Sequence, residues 1–405
     1  MIATVYPGKV SGSLRAIPSK SHVHRLLICA ALAEGVTRIA CPALNEDIEA
    51  TARCLTALGA DISYKDEWFT VRPGMPKANC TLDVGESGST YRFLFPVAAA
   101  LGADAEFRLH GRLPSRPMGE LVNAMLPHGA SFEGLGSDTV SIAGRLTGGR
   151  YEIPGDVSSQ YISALIFALP LTGSASEIAL TTPVESVGYI NMTLDAVRKF
   201  GIAVEWTRNT IRIPGGQKYI SPGEIIAEGD WSNAAFMLCA SAACGSPVEM
   251  NGLNMDSAQG DRAVKQIVSD FGTPPKGQVI SIADIPDLAP ALAVLSAAAA
   301  GETRMINATR LKLKESDRIS AIVDTLNALG ADAAGTDDAI IIRGGKALRG
   351  GTVDSCGDHR IAMMAACTAV IADAPVTITR AEAVRKSYPG FFEDIQSLGL
   401  RVEIR

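Results

Sequence analysis

The chain reads as an α/β protein of two domains, each made of three copies of one unit with apolar helices buried inside. Three observations predict this. An amphipathic helix ending at a glycine recurs six times at near-constant spacing. Between those copies lies a second kind of helix, apolar nearly all round. The chain has 405 residues, too many for one ordinary core and about the length of two domains.

The amphipathic copies are IEATARCLTALGADI, GELVNAMLPHGASFE, NMTLDAVRKFGIAVEW, DRAVKQIVSDFGTPP, SAIVDTLNALGADAA and FFEDIQSLGLRVEI. Their glycines, Gly59, Gly129, Gly201, Gly272, Gly330 and Gly399, are spaced by 70, 72, 71, 58 and 69 residues. Glycine after a helix supplies the left-handed residue that ends it, and a fixed period marks a repeated unit. In each copy a β-rich stretch follows the glycine.

The apolar copies are KSHVHRLLICAALAEG, SGSTYRFLFPVAAALG, SSQYISALIFALPLTG, WSNAAFMLCASAACG, IPDLAPALAVLSAAAAG and GDHRIAMMAACTAVIAD. Five end at Gly35, Gly102, Gly173, Gly245 and Gly301, and the sixth near Asp373. A helix without a polar face has to be covered on most sides. Six such units exceed one core, so three per domain is the natural division. The midpoint falls near IIAEGDWS (225–232), after the Gly/Pro-rich IPGGQKYISPG (213–223).

Composition narrows the function. Hydrophobic residues make up 47% and charged residues 20%, as in soluble globular proteins. A net charge of −6 gives no general attraction to nucleic acid or to an anionic membrane. The eight cysteines form no CxxC pair and no metal spacing. Cys29, Cys239, Cys244 and Cys367 lie in Ala-rich apolar stretches and are expected as small buried hydrophobes, which suits a reducing cytoplasm. The N-terminal MIATVYPGKVSGSLR has no apolar h-region of a signal peptide. The most apolar run, 288–301, is shorter than the roughly 20 residues that span a bilayer and reads as a buried helix.

The apolar helices have polar starts: Ser19-Lys20-Ser21, Glu86-Ser87-Gly88-Ser89-Thr90, Ser158-Ser159-Gln160, Asp230-Trp231-Ser232-Asn233, Asp287, and Asp358-His359-Arg360. N-capping accounts for Ser19, Asp230, Asp287 or Asp358 one at a time. It does not account for Lys20, Arg25, Arg92 or Arg360, because cations at a helix N-terminus oppose its dipole. They are sensible with an anion between them and the helix end, where free N–H groups and basic side chains make a phosphate or carboxylate site. Parallel inner helices would present these starts on one face of each domain. Further cations lie in the loops LPSRPMGE (Arg116), LKLKESDRI (Lys312, Lys314, Arg318) and VRKSYPGFF (Arg385, Lys386).

IPSKSHVHR (17–25), ESGSTYRF (86–93), LPSRPMGEL (113–121), GDVSSQYISAL (155–165), ESVGYINMTL (185–194), IPDLAPAL (285–292), KLKESDRI (312–319), GDHRIAM (357–363) and RKSYPGFF (385–392) occur in that order. In these motifs, spread essentially end to end, the chain resembles the 5-enolpyruvylshikimate-3-phosphate synthase family. The resemblance implies two domains of three βαβαββ repeats, an inside-out α/β barrel in each. Their bounds would be 19–228 and 229–405, with residues 1–18 joining the second. It implies domain closure around substrate, no metal and no cofactor. The implied reaction is transfer of the enolpyruvyl group of phosphoenolpyruvate to the 5-hydroxyl of shikimate 3-phosphate by a cytoplasmic monomer. Glyphosate would compete with phosphoenolpyruvate.

Carried over by position, Lys20 bridges both substrates. Ser21, Arg25, Ser158, Ser159, Gln160, Ser186, Tyr189, Asp287 and Lys314 would hold shikimate 3-phosphate. Gly88, Arg116, Gln160, Arg318, His359, Arg360 and Lys386 would hold phosphoenolpyruvate. The chain has Glu86-Ser87-Gly88-Ser89 where the family often has Asn-Ala-Gly-Thr, and Arg310 where an Asn is common. The chemistry needs one group to deprotonate the hydroxyl and one to protonate a methylene. Asp287 is the candidate base, and Glu315, with Lys20 as alternative, the candidate proton donor at C3. The alternative readings are a cap for Asp287 and an ion pair of Glu315 with Lys312 or Arg318. A UDP-N-acetylglucosamine enolpyruvyl transferase is the nearest rival, but that family carries a reactive cysteine in the loop occupied here by LHGRLPSRP (109–117). A non-catalytic anion-binding protein of the same fold is the second.

Overall fold

A computed structural model describes residues 1–405 as two compact units, Pro18–Glu228 and Met1–Ile17 with Gly229–Arg405. Pro18 goes with the first unit, one residue before the expected boundary.

The first unit contains the helices α1 (Lys20–Leu32), α2 (Glu46–Leu58), α3 (Gly88–Leu101), α4 (Gly119–Met125), α5 (Ser159–Ala168) and α6 (Val187–Lys199). The second contains α7 (Trp231–Cys244), α8 (Val264–Phe271), α9 (Ala289–Ala298), α10 (Arg318–Ala328), α11 (His359–Cys367) and α12 (Phe391–Ser397). The odd-numbered helices are the apolar ones. Nine of the ten residues of α5 and of α9 are buried. Helix α3 packs on α5, and α7 on α9, which packs on α11. The even-numbered helices bury one stripe: in α2, Ile48, Thr51, Leu55 and Leu58 face inward while Glu49 and Thr56 are exposed. The 3–4 spacing of those apolar positions is what covers one side of a helix. Each unit has one continuous apolar core, with Leu26, Phe93, Phe95, Leu165 and Phe167 in the first and Trp231, Phe236, Leu292, Met363 and Phe391 in the second.

The repeat is visible in the sheets. Cys80–Gly85 runs parallel to Ala105–Leu109, and α3 makes the crossover. A parallel pair cannot be joined by a tight turn, so a helix is required there. Ala105–Leu109 is antiparallel to Thr139–Gly144, which pairs in turn with Ala130–Glu133. The order 1-2-4-3 recurs in five four-stranded sheets. Two of these are completed by distant chain. Glu224–Ile226 supplies the first strand beside Thr37–Ala40. Ile2–Val5 joins the last sheet between Val376–Thr379 and Val402–Ile404, which is why the N-terminus belongs to the second unit.

One repeat is abbreviated. Gly12–Arg15 and Val248–Asn251 form only a two-stranded parallel sheet. After α8 the chain passes directly to Val279–Ser281 with no hairpin. The short 58-residue interval ending at Gly330 is this missing hairpin. All six glycines after the amphipathic helices have positive φ.

Two expectations are corrected. Cys244 is half-buried, unlike Cys29, Cys239 and Cys367, because it sits in the last turn of α7 where the helix emerges. Asp287 does not cap α9. The helix begins at Ala289 after the 3₁₀ turn Pro286–Leu288, with no side-chain cap. Pro290 lacks an N–H, so fewer donors at this start need a partner, and the Asp287 carboxylate is left for other bonds. No helix is long and apolar enough to cross a membrane.

Candidate active site

Five of the six apolar helices begin with a side-chain cap. Ser19, Ser87, Ser158, Asp230 and Asp358 accept from His22, Thr90, Gln160, Asn233 and Arg360 backbone N–H groups. Each such cap stabilises its helix by about 1 kcal/mol. The remaining polar residues at these starts do something else.

In the first unit the starts of α1, α3 and α5 are joined by long polar side chains. Lys20 Nζ pairs with Asp47 Oδ2 of α2 at 2.7 Å. Arg25 is buried with its Nε on Thr193 Oγ1 (2.8 Å), one terminal nitrogen on the Ser21 carbonyl (2.6 Å) and the other on the Tyr189 carbonyl (2.9 Å). Its guanidinium stands over the Phe93 ring at 5.0 Å, and burial brings its pKa down to about 10, so it keeps its charge at neutral pH.

Gly88, the first residue of α3, is where two guanidinium groups converge. A methyl built on its Cα would stand 2.7 Å from Arg116 Nη1 and 2.9 Å from Arg92 Nη1. Arg92 donates to the neutral oxygens Gln160 Oε1 (2.8 Å) and Pro117 O (3.1 Å). Burial, then the like charge of Arg116, pushes its pKa down to about 10. Gln160, held on the other side by Ser89 Oγ (its Nε2 donating at 3.0 Å), links α5 to α3. Two cations beside a helix N-terminus, one hydrogen-bonded to neutral oxygens, are an arrangement an anion would stabilise.

Ser158 caps α5, Ser159 is buried in its first turn, and Ser186 is buried with φ 56° ahead of α6. Such a backbone is unusual for a residue other than glycine and marks a constrained position. Tyr189 lies in the first turn of α6 and turns its carbonyl to Arg25. Glu86, the residue that departs from the family pattern, points at Gly111, whose added methyl would meet the Glu86 carboxyl at 2.5 Å. It therefore packs on the loop that carries Arg116.

In the second unit the charged residues form one network around Arg318, which is 1% exposed. Its Nε donates to Asp358 Oδ2 (2.8 Å), Nη1 to Asp287 Oδ1 (2.8 Å), and Nη2 to Glu315 Oε2 (2.7 Å) and Asp358 Oδ1 (3.3 Å). Burial works against the charge, but the three carboxylates outweigh it and hold the Arg318 pKa above its ordinary value. Four of its five N–H bonds go to carboxylates, which leaves at most one for a ligand. Asp287 also accepts from Lys314 Nζ (3.2 Å) and Arg360 Nη2 (3.3 Å), and its backbone carbonyl from Arg360 Nη1 (3.0 Å). Burial lowers the Lys314 pKa, with Asp287 opposing. His359 is 2% exposed, its Nδ1 3.8 Å from Asp358 Oδ1. Lys386 Nζ lies 3.4 Å from the Gly357 carbonyl. Of the two partners considered for Glu315, the structure selects Arg318, because Lys312 is taken by Asp337 at 2.5 Å.

Sequence reasoning named Arg92 as a cation at a helix start and Asp358 as a cap but assigned neither to a substrate, and it left Asp47 out. Arg92 had a readable signal: it follows Gly88 by four residues, as Arg25 follows Ser21, so each pair shares a helix face. Asp47 had none, since its contact with Lys20 depends on how α2 packs against α1.

The model of the EPSP synthase family, 3-phosphoshikimate 1-carboxyvinyltransferase, matches residues 5–395. A Clostridium kluyveri protein named 3-phosphoshikimate 1-carboxyvinyltransferase is 38% identical over 99% of this chain and 98% of its own. A protein of the same name from Methanocorpusculum labreanum is 37% identical, covering 96% of this chain and 97% of its own. The solved EPSP synthase of Acinetobacter baumannii superposes over the whole of both chains with a TM-score of 0.83 at 26% identity. The enolpyruvyl transferase NikO of Streptomyces tendae shares the fold, with a TM-score of 0.80 at 19% identity over 99% of this chain and 98% of its own.

Proposed function

The chain belongs to the EPSP synthase family, and on that premise we propose how its residues divide the work of enolpyruvyl transfer. The enzyme moves the enolpyruvyl group of phosphoenolpyruvate to the 5-hydroxyl of shikimate 3-phosphate and releases phosphate. The hydroxyl oxygen attacks C2 of phosphoenolpyruvate while its proton passes to a base and C3 takes a proton to become a methyl. The tetrahedral adduct then loses phosphate from C2 and a proton from C3, which leaves the enol ether.

The observation that carries the assignment is the Arg92–Arg116 pair converging on Gly88. In this reading the pair, with the N-terminus of α3, receives phosphoenolpyruvate, and Gln160 is its neighbour through Arg92. Arg25, held by Thr193 and Tyr189, Ser21, Ser158, Ser159 and Ser186 receive the shikimate 3-phosphate anion. Lys20 would exchange Asp47 for substrate oxygens. In the other unit, Lys314, Arg360, Lys386 and the remaining N–H of Arg318 supply positive charge for the carboxylate and the leaving phosphate, with His359 beside them. Asp287 takes the hydroxyl proton. Glu315, fixed by Arg318, serves C3, with Lys20 as the alternative donor. The reaction is written for a single chain, since every assigned residue lies on it. The eight free cysteines support the reducing cytoplasm as its place of action.

Phosphate release with purified protein tests this. Phosphoenolpyruvate with shikimate 3-phosphate should release phosphate, and phosphoenolpyruvate with UDP-N-acetylglucosamine should not. Turnover of the nucleotide sugar instead would overturn the substrate assignment.

A further inference from the structure

Beneath the proposed anion site a chain of polar side chains crosses the apolar core of the first unit. His24 Nδ1 lies 2.6 Å from Thr51 Oγ1, Thr51 Oγ1 lies 2.6 Å from Thr90 Oγ1, and Thr90 Oγ1 lies 2.7 Å from Ser87 Oγ. All four residues are at most 1% exposed. His24 lies one helical turn beyond Lys20 on α1, and Thr51 one turn beyond Asp47 on α2. Thr90 is in the first turn of α3, and Ser87 caps that helix just before Gly88.

The protons in this chain follow from one bond. Thr90 donates its only hydroxyl proton to Ser87, so the 2.6 Å contact between Thr51 and Thr90 is served by the Thr51 proton, for which the Asp47 carbonyl at 3.3 Å is the more distant competing acceptor, and the His24 ring then donates from Nδ1 to Thr51. Burial, reinforced by the charges of Lys20 and Arg25, pushes the His24 pKa well below its ordinary value. The ring is thus neutral, with its single proton on Nδ1. Its Nε2 is then a buried acceptor that makes no hydrogen bond, which is unfavourable. Apolar residues of similar volume would avoid that cost, so stability alone gives no reason for the chain.

What the chain does fix is geometry. The Lys20–Asp47 and His24–Thr51 contacts are two rungs between the same faces of α1 and α2. The Thr51–Thr90–Ser87 links then tie α2 to the start of α3. We propose that Thr51, at the centre of this chain, is a positioning residue that sets Lys20 against Gly88 for phosphoenolpyruvate, an inference that rests on the function proposed above. In that reading phosphoenolpyruvate meets groups on α1 and α3. Shikimate 3-phosphate relies on α1, α5 and α6, which are tied separately through Arg25, Thr193 and Ser163. Loosening the chain therefore acts on one substrate more than the other.

Steady-state kinetics of Thr51→Val, which keeps the side-chain shape and removes the hydroxyl, test this. The KM for phosphoenolpyruvate should rise about 10-fold or more, because the change removes the Thr51 bonds to both His24 and Thr90 at a site that needs close alignment. The KM for shikimate 3-phosphate should stay within about 2-fold, and Thr51→Ser should restore wild-type values. A merely structural role would lower kcat with both KM values unchanged, because only the active fraction would fall; that result overturns the proposal. If Thr51→Val does not fold, Ser87→Ala cuts the last link, and an unchanged phosphoenolpyruvate KM in that variant also overturns it. Histidine ¹⁵N NMR gives a readout free of substrate. His24, assigned by the signal lost in His24→Asn, should be neutral with the proton on Nδ1. A proton on Nε2 overturns the chain as drawn, whereas an inactive wild type with the expected tautomer would instead defeat the functional reading.

Discussion

Replacing Arg318 by Met should destabilise the second unit more than any other single change in the network. Met keeps the apolar stem and removes the guanidinium. Asp358, with no exposed surface, then loses its cation, and Asp287 and Glu315, at 17% and 20% exposure, lose one each. Asp287 retains Lys314 and Arg360, and Asp358 retains the Ser316 hydroxyl at 3.0 Å. The loss is therefore dominated by one fully buried carboxylate stripped of its ion pair, for which about 3–5 kcal/mol is expected. Trp231 reports on this unit: it is 2% exposed in the second core, and its indole N–H donates to the Asn254 carbonyl at 3.0 Å. Urea unfolding followed by Trp231 emission, with Trp68 and Trp206 changed to Phe, measures the loss. A deficit under about 1 kcal/mol at pH 7.5 would refute the view that Arg318 neutralises buried charge.

Gly88→Ala should raise the KM for phosphoenolpyruvate and the inhibition constant for glyphosate together, because its methyl pushes the Arg116 and Arg92 guanidinium groups before it reaches any ligand; a change in glyphosate inhibition alone would count against that. His22, buried with its Nδ1 accepting from the Glu228 N–H at 3.1 Å, has its pKa lowered to about 4, mainly by burial. The unfolded chain binds that proton more readily, so this group's share of stability, about 3 kcal/mol, is present above pH 6.5 and lost as pH falls to 4. His22→Asn should show a shallower acid limb in unfolding followed by Trp68 and Trp206, and parallel curves for the two proteins would refute it. Asp261 behaves in the opposite sense. Burial and then Asp287 raise its pKa to about 6, so stability falls as pH rises from about 4 to 6. Asp261→Asn should gain on the wild type by about 3 kcal/mol across that window in the Trp231 readout, and a constant difference would sink the assignment.

The division between what the sequence makes legible and what it hides follows the range of the interactions. A helix that ends at glycine, an apolar helix body and a polar start are written within fifteen or so residues, so the period and the layer assignment could be read directly. The shortened repeat was also visible, as an interval of 58 residues among intervals near 70. The N-terminal strand was placed only through the family resemblance, because its partners Val376–Thr379 and Val402–Ile404 lie at the far end of the chain.

Site residues divide in the same way. Lys20, Arg25, Arg92 and Arg360 stood out because cations at helix starts contradict the dipole. Asp47, Thr51 and Asp358 did not, because Asp and Thr near helix starts are common and their meaning lies in a partner on another element. Asp287 shows how a local rule can fail at such a place. Its position before an apolar helix suggested a cap, but Pro286 and Pro290 change the start of α9 so that the carboxylate is not needed there. Three cations from two later segments, Lys314, Arg318 and Arg360, take it up instead. The proline spacing in IPDLAPAL thus shapes the surroundings of Asp287: the 3₁₀ turn leads into α9 without a side-chain cap, and the acid is left to the three cations.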